Sequence, residues 1–325
     1  MDPDRFLYLS RSDVEAAEVS MAEIIDALEI AFREKGLGRT QMPPKPGIHP
    51  GTPDNFIHAM PAYISAMQTA GVKWVSGFPN NKSLGLPYVG GLLILNDPDT
   101  GLVTAVMDCT WITAKRTGAA TALAAKYLAR TDSHTVGILA CGVQGRSNLE
   151  ALAALFEVKR VFAYDTGVDT RRRYAEEMSH KLELQVEPVD TPEKAVKGCD
   201  MVVTSGPILK SPHATIRRGW LAEGSFASAL DFDSYWSAEA LAEFDKICTD
   251  DHEQLAYYRQ NGYFEKLPPV DADLGELVSG TKTGRGGPAE RTMAMNLGLA
   301  IDDMATAILI YRRALEYELG TWLPR

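Results

Sequence analysis

The stretch from Thr135 to Asp165 holds the residues best placed to do chemistry. An apolar run (Val136, Ile138, Leu139) leads into the turn Ala140-Cys141-Gly142-Val143-Gln144-Gly145. An amphipathic segment from Asn148 to Phe156 follows, then a second apolar run from Arg160 to Tyr164 that ends in the carboxylate of Asp165. This order predicts a strand, a glycine turn, a helix and a strand, the βαβ unit that binds a dinucleotide. Gly142 would let backbone approach a pyrophosphate, and the open N–H groups of the helix N-terminus would face its charge. Gly145 would let helix and strand pack closely. Asp165 lies twenty residues beyond Gly145, the distance at which a carboxylate accepts from the adenosine ribose hydroxyls and repels a 2′-phosphate. NAD(H) is therefore expected over NADP(H). Ala140 stands where the first glycine of G-x-G-x-x-G is usual, so the turn alone also fits an α/β unit without a nucleotide.

A second candidate is Lys73, which lies in the apolar strand segment Val72-Lys73-Trp74-Val75, where a buried ammonium is costly unless paired. A half-exposed strand lysine is the plainer alternative.

The elements that must position these residues fall into two kinds. Ser20-Met21-Ala22-Glu23 is a capping-box pattern that opens an amphipathic helix stopping near Gly36. From Gln41 to Asp108, turns rich in proline (Pro43, Pro44, Pro46, Pro50, Pro53) separate short apolar runs at 56–64, 71–78, 91–95 and 102–107. The last two runs flank Asn96-Asp97-Pro98-Asp99-Thr100-Gly101, a strong turn signal, and the region reads as an antiparallel meander. A helix over about 112–129 then leads into the αβ alternation from Thr135, with strands near 184–186, 201–205, 225–230 and 246–249 and the pattern reaching roughly Glu290. A last helix over about 297–319 has a broad apolar face and could pack back on the N-terminal part. The fold class expected is α/β, a Rossmann-type doubly wound domain plus an α+β domain.

At 325 residues and 45% hydrophobic content, two ordinary domains are expected. A net charge of −10 argues against a nucleic-acid partner, and the one basic run, Arg171-Arg172-Arg173, reads as a solvated helix start. A 2′-phosphate site at that run is the sharper alternative, and Asp165 opposes it. The four cysteines and six histidines show no ligand spacing, so no metal is expected. With no apolar run long enough for a membrane and no signal-peptide pattern, a cytoplasmic protein is expected.

Several motifs in order resemble the ornithine cyclodeaminase/μ-crystallin family, in particular its ketimine reductase and archaeal-type alanine dehydrogenase branch. They are His58-Ala59-Met60-Pro61-Ala62-Tyr63, Gly71-Val72-Lys73 with Phe78-Pro79-Asn80-Asn81, and Ile112-Thr113-Ala114-Lys115-Arg116-Thr117-Gly118-Ala119. Gly142-Val143-Gln144, Gly284-Arg285, Glu290-Arg291-Thr292 and Gly298-Leu299-Ala300-Ile301-Asp302-Asp303 complete the set. The resemblance implies a homodimer, a substrate and dimerisation domain (residues 1–118 with 305–325), an NAD-binding domain (119–304) and a site at the domain cleft.

The resemblance also implies hydride transfer between an amino acid Cα and nicotinamide, through an imine. Such a site needs a cation for the substrate carboxylate, a proton-handling group and a dry cleft. Arg116 is expected to bind the carboxylate with its planar fork, and Lys73 to contact that carboxylate or the reacting nitrogen. Lys45 stands where relatives carry another basic substrate contact, though an exposed loop lysine fits equally. Asp233 aligns with the family's acidic residue for proton transfer or amine binding. Asp231 is the alternative, because Asp231-Phe232-Asp233 and the following Ser234-Tyr235-Trp236 depart from the family pattern.

His58 replaces the glutamate that ornithine cyclodeaminases place there for a distal amine. With Lys45 and Lys73 nearby it suggests excess positive potential and a short or anionic side chain, as in alanine or aspartate formed through iminosuccinate. A packed core histidine is the alternative. Gly142, Val143 and Gln144 are expected at the pyrophosphate, Asp165 at the adenosine ribose, Thr204 and Ser205 on the nicotinamide side, and Asn296 where relatives carry a serine near the nicotinamide. The function expected is an NAD(H)-dependent imine reductase or amino acid dehydrogenase. A cyclodeaminase and a low-turnover μ-crystallin-like binding protein are the competitors.

Overall fold

The chain opens with β1 (Arg5–Leu9), α1 (Arg11–Ala16) and α2 (Met21–Gly36), followed by the short β2 (Thr40–Gln41) and β3 (Gly47–Ile48). Four longer strands come next, β4 (Phe56–Ile64), β5 (Thr69–Gly77), β6 (Val89–Asn96) and β7 (Val103–Asp108), and then α3 (Thr110–Leu128). Alternation follows through β8 (Thr135–Leu139), α4 (Val143–Leu155), β9 (Arg160–Tyr164), α5 (Val168–Leu182), β10 (Gln185–Pro188), α6 (Pro192–Val196) and β11 (Met201–Thr204). It continues with β12 (Phe226–Ala229), α7 (Ala238–Leu241), β13 (Lys246–Thr249), α8 (His252–Gln260), β14 (Ala272–Asp273), α9 (Leu274–Ser279) and β15 (Thr292–Met295). The chain ends with α10 (Ala300–Glu316) and β16 (Thr321–Pro324). This computed structural model describes residues 4–52 and 54–325; Pro53, among the prolines noted above, lies outside the described residues.

Two compact units emerge, Met1–Arg116 with Leu299–Arg325, and Thr117–Gly298. The divisions fall at 116/117 and 298/299 rather than at the expected 118/119 and 304/305. The second shift has a physical reason: Asp302 and Asp303 pair with Arg116 and Lys73, so α10 belongs to the first unit from its first turn.

In the first unit, β4 to β7 form the predicted antiparallel meander, with the turn held by Asp97, whose Oδ1 accepts from the Asp99 and Thr100 amides. The sheet extends through β7 to β1, which runs parallel to it, and to β16 at the edge. The sequence reading began with a helix and placed no strand at either terminus. On one face, Met60, Ile64, Val75, Leu93, Leu95 and Met107 are buried, and α10 packs against β4, β5 and β6. Gly71 allows that contact, because a Cβ there would lie 2.1 Å from Ile94 O and 3.0 Å from Met304 Sδ. The opposite face exposes Trp74 and its cross-strand partner Leu92.

In the second unit, eight parallel strands run in the order β10-β9-β8-β11-β12-β15-β13-β14. The chain order reverses between β9 and β11 on either side of β8, the switch point at which α/β sheets open a crevice beyond their strand ends. β15 inserts between β12 and β13, a strand the sequence reading missed. Glycines of two motifs serve close packing: a Cβ on Gly118 would lie 2.4 Å from Ser147 O, and one on Gly284 2.2 Å from Tyr127 O. Arg285 donates to Leu128 O at 2.7 Å and to Thr292 Oγ1 at 3.0 Å, tying the end of α3 to the sheet.

Candidate functional site

In the first unit, β5 carries Lys73 on its buried face, α10 brings Asp302 and Asp303 in its first turn, and Arg116 lies on α3. Lys73 Nζ donates to Asp303 Oδ1 at 2.7 Å, with both side chains almost wholly buried. Arg116 places Nε 3.1 Å from the same oxygen and donates through Nη1 to Asp302 Oδ2 at 3.3 Å. Asp302 Oδ2 also accepts from Leu299 N at 3.1 Å. Asp302 Oδ1 and Asp303 Oδ2 are buried and accept no hydrogen bond among the described residues. Burial pushes the Asp302 carboxyl up to about 6, against the pull of Arg116. Burial likewise holds Lys73 below the usual lysine value, opposed by Asp303.

This arrangement corrects the expected excess of positive potential. Two cations meet two carboxylates, and the His58 imidazole is neutral: burial and the charges of Lys45, His49 and Lys73 bring it down to about 3. His58 stacks on Phe56 at 4.5 Å between ring centroids. Gly47 opposite makes room for it, since a Cβ there would lie 2.2 Å from His58 Cδ2. Lys45 is half-buried and close enough for its charge to act on His58. In the sequence Asp302 and Asp303 stand out only as part of the motif Gly298-Leu299-Ala300-Ile301-Asp302-Asp303. The available signal was two adjacent carboxylates at the head of an apolar helix, in a chain with a lysine in an apolar strand.

In the second unit, the turn after β8 adopts the conformation that its missing glycine would favour, with Ala140 at φ +78°. A Cβ on Gly145 would lie 2.4 Å from Ala140 O and 3.2 Å from Ile138 Cγ2, so this glycine sets the close helix–strand packing expected of it. Gly142 is the N-cap of α4 and offers no side-chain cap, and a Cβ there would meet nothing within 4 Å. Helix α4 begins at Val143 rather than near Asn148, so Val143 and Gln144 form its first turn, and Val143 is exposed. Gln144 Oε1 accepts no hydrogen bond among the described residues. Asp165 accepts from Cys141 N at 3.0 Å and from Gly167 N at 2.9 Å, so its half-buried carboxylate braces the turn. An uncapped helix N-terminus with open space at Gly142 and a carboxylate beside it fits the pyrophosphate and ribose of a dinucleotide.

The remaining predicted residues divide. Thr204 is buried, donates to Asp231 Oδ1 at 2.7 Å and accepts from Trp236 Nε1 at 3.2 Å, so its hydroxyl is engaged within the protein. Ser205 Oγ donates to Ala140 O at 3.2 Å and ties the end of β11 to the glycine turn. Asn296 donates to Ser228 Oγ at 2.9 Å and to Thr121 Oγ1 at 3.3 Å, while its buried Oδ1 meets no donor among the described residues. Asp231 accepts from Thr204 and from Gly206 N at 2.9 Å, and burial lifts it to about 7. Asp233 is buried against a different segment, near the Phe264 amide, Glu265 and Lys266; burial raises it and the hydrogen bonds oppose the rise.

Residues 6–318 match the ornithine cyclodeaminase/mu-crystallin family. The chain belongs to that family. The alanine dehydrogenase of Archaeoglobus fulgidus is 37% identical over 324 residues, covering 97% of each chain. The solved Delta(1)-pyrroline-2-carboxylate reductase of Thermococcus litoralis, in complex with NADH and L-proline, superposes with a TM-score of 0.89 at 34% identity, over 97% of this chain and 99% of that one. An archaeal alanine dehydrogenase dimer with bound NAD superposes at 0.87 and 35%, over 98% and 99%.

Proposed function

We propose that this family member is an NAD(H)-dependent oxidoreductase, an imine reductase or amino acid dehydrogenase acting on a short 2-imino or amino acid. The observation that carries the reading is the uncapped N-terminus of α4 braced by Asp165, in a chain whose first unit buries a lysine and an arginine on paired carboxylates. The resemblance over nearly the whole chain to an alanine dehydrogenase and an imine reductase supports it. The nicotinamide would supply or accept the hydride at the substrate carbon.

Gly142, Val143 and Gln144 hold the pyrophosphate in this reading, and Asp165 the adenosine ribose. Ser205 and Asn296 stand at the nicotinamide side, with Thr204 behind them as a support held by Asp231. Arg116, its guanidinium fixed by Asp302 and Asp303, binds the substrate carboxylate, and Lys73 supports it or meets the nitrogen. Asp233, or Asp231 in its place, handles the proton at nitrogen. His58 is neutral and brings no countercharge for a distal ammonium, which favours a short substrate over ornithine. Lys45, whose charge acts on His58, is the cation that a second substrate carboxylate would meet in this reading.

In this reading the unit of Met1–Arg116 with Leu299–Arg325 holds the substrate and the unit Thr117–Gly298 holds the cofactor. The exposed outer sheet face with Trp74 and Leu92 supports assembly as a homodimer. No helix among the described residues is long and apolar enough to cross a membrane, and four buried free thiols suit a cytoplasmic setting.

The test is NADH consumption by purified protein with ammonia and pyruvate, glyoxylate or oxaloacetate, and with preformed acyclic and cyclic imines. Oxidation of NADH with formation of an amino acid is expected. Proline and stoichiometric ammonia from ornithine, with no net change in NADH, would overturn the reading in favour of a cyclodeaminase. A cyclic imine substrate is the second reading, favoured by the likeness to the pyrroline-2-carboxylate reductase.

A further inference from the structure

The Lys73, Arg116, Asp302 and Asp303 cluster balances its charges before any substrate arrives. Resting on the reading of Arg116 as the carboxylate clamp, we propose that Asp302 is a positioning residue that takes up one proton from solvent when a substrate carboxylate binds, keeping the buried cluster neutral.

A third carboxylate brought to two cations and two carboxylates leaves a net negative charge in a buried place, which is strongly unfavourable. Lys73 Nζ is held as a donor to Asp303 Oδ1 at 2.7 Å and a guanidinium keeps its proton, so the compensating proton is assigned to a carboxylate. Asp303 is the poorer acceptor, because Oδ1 holds Lys73 at 2.7 Å and Arg116 at 3.1 Å, and protonation would weaken both pairs. Among the described residues the Asp302 carboxylate makes its contacts through Oδ2, at 3.3 Å to Arg116 and 3.1 Å to Leu299 N. Its Oδ1, like Asp303 Oδ2, is buried and accepts no hydrogen bond among the described residues, so what separates the two acids is that Asp302 serves one cation and Asp303 serves two. The carboxyl already titrates near 6, and a further negative charge raises it.

The neighbouring elements offer no rival. On β5 the facing group is Lys73, and the start of α3 brings Arg116 and, before it, the Cys109 thiol, lifted by burial to about 11. His58 on β4 is neutral, and β6 carries no titratable side chain. Asp13 on α1 is engaged in its own capping box, and Glu23 on α2 pairs with Arg313 near the far end of α10.

The experiment uses the NADH-saturated protein and pyruvate without ammonia, a carboxylate that carries no nitrogen, with NADH absorbance followed so that any turnover is seen. Binding heats in buffers of different ionisation enthalpy, at about pH 7.5, should give about one proton taken up per pyruvate, with Kd rising about tenfold per pH unit above the titration. Asp302→Asn should bind with uptake near zero and a Kd level across that range, and Asp302→Glu should restore the uptake. Saturable binding to the unmodified protein with no proton uptake overturns the proposal and leaves the Arg116 assignment standing; so does full uptake in Asp302→Asn. Absence of saturable binding at every pH overturns the Arg116 assignment and this proposal with it. The wild-type measurement decides even if the asparagine variant fails to fold.

Discussion

Lys73 Nζ and Asp303 Oδ1 meet at 2.7 Å although 230 residues separate them in the chain. The pair ties the middle of the first sheet to the helix that covers it. Removing one partner of a buried ion pair leaves the other charge uncompensated, which costs about 3–5 kcal/mol. Lys73→Met is expected to lower stability on that scale, and adding Asp303→Asn should recover part of the loss. Urea unfolding of both variants checks this, and a double variant no more stable than the single one would count against it.

Arg116→Ala should abolish most turnover while leaving NADH binding intact. The loss in kcat/KM is expected to reach at least about 3 kcal/mol, the scale of truncating one side of a buried charge pair. Steady-state kinetics beside an NADH fluorescence titration separates the two effects. Near-normal activity would move the carboxylate clamp to Lys45.

Asp165→Ser should narrow the preference for NADH over NADPH, since the carboxylate that repels a 2′-phosphate is gone. The same carboxylate accepts from Cys141 N and Gly167 N, so the variant should also bind NADH more weakly. Comparing kcat/KM for the two cofactors tests the claim, and equal use of both by the unmodified protein would contradict it.

Asp231 yields a pH prediction with a defined sign. Its folded carboxyl titrates near 7, above the unfolded value of about 3.8, so between those values the native state binds the extra proton. The protonated form therefore stabilises the fold at low pH, and that contribution is lost as pH rises through the window to about 7. Asp231→Asn cannot ionise, so the wild type should lose stability relative to this variant between pH 4 and about 7. Denaturant midpoints at both ends of the window measure it. A constant difference would mean that Asp231 does not titrate there.

Much of the second unit was legible because its signals are local. A strand, a turn and a helix within thirty residues show their periods directly, and Gly145 and Asp165 lie where that pattern puts them. The meander was legible for the same reason, through alternation and the turn at Asn96–Gly101. Strand β15 escaped because its four residues, Thr292 to Met295, carry no valine, isoleucine or aromatic side chain to mark them as a strand. The charge balance escaped because Lys73 and Asp303 meet only in three dimensions. Spacing identified the lysine as needing a partner but could not say which acid supplies it. Thr204 was placed by the strand end on which it sits, whereas its hydroxyl is committed to Asp231, a residue of the next strand's exit.

The first unit is built from two stretches, one before and one after the second unit, with β16 finishing the sheet edge beside β1. During synthesis the first 116 residues therefore leave the ribosome with β1 unpaired on one side and with Lys73 lacking its acidic partner. Residues Thr117–Gly298 are contiguous and can settle as soon as they emerge. The nascent chain must hold an unfinished sheet while the nucleotide-type unit folds, and closes it only when α10 and β16 arrive. Conditions that slow this last step lengthen the life of an exposed β1 edge, the place where misassembly between nascent copies would begin.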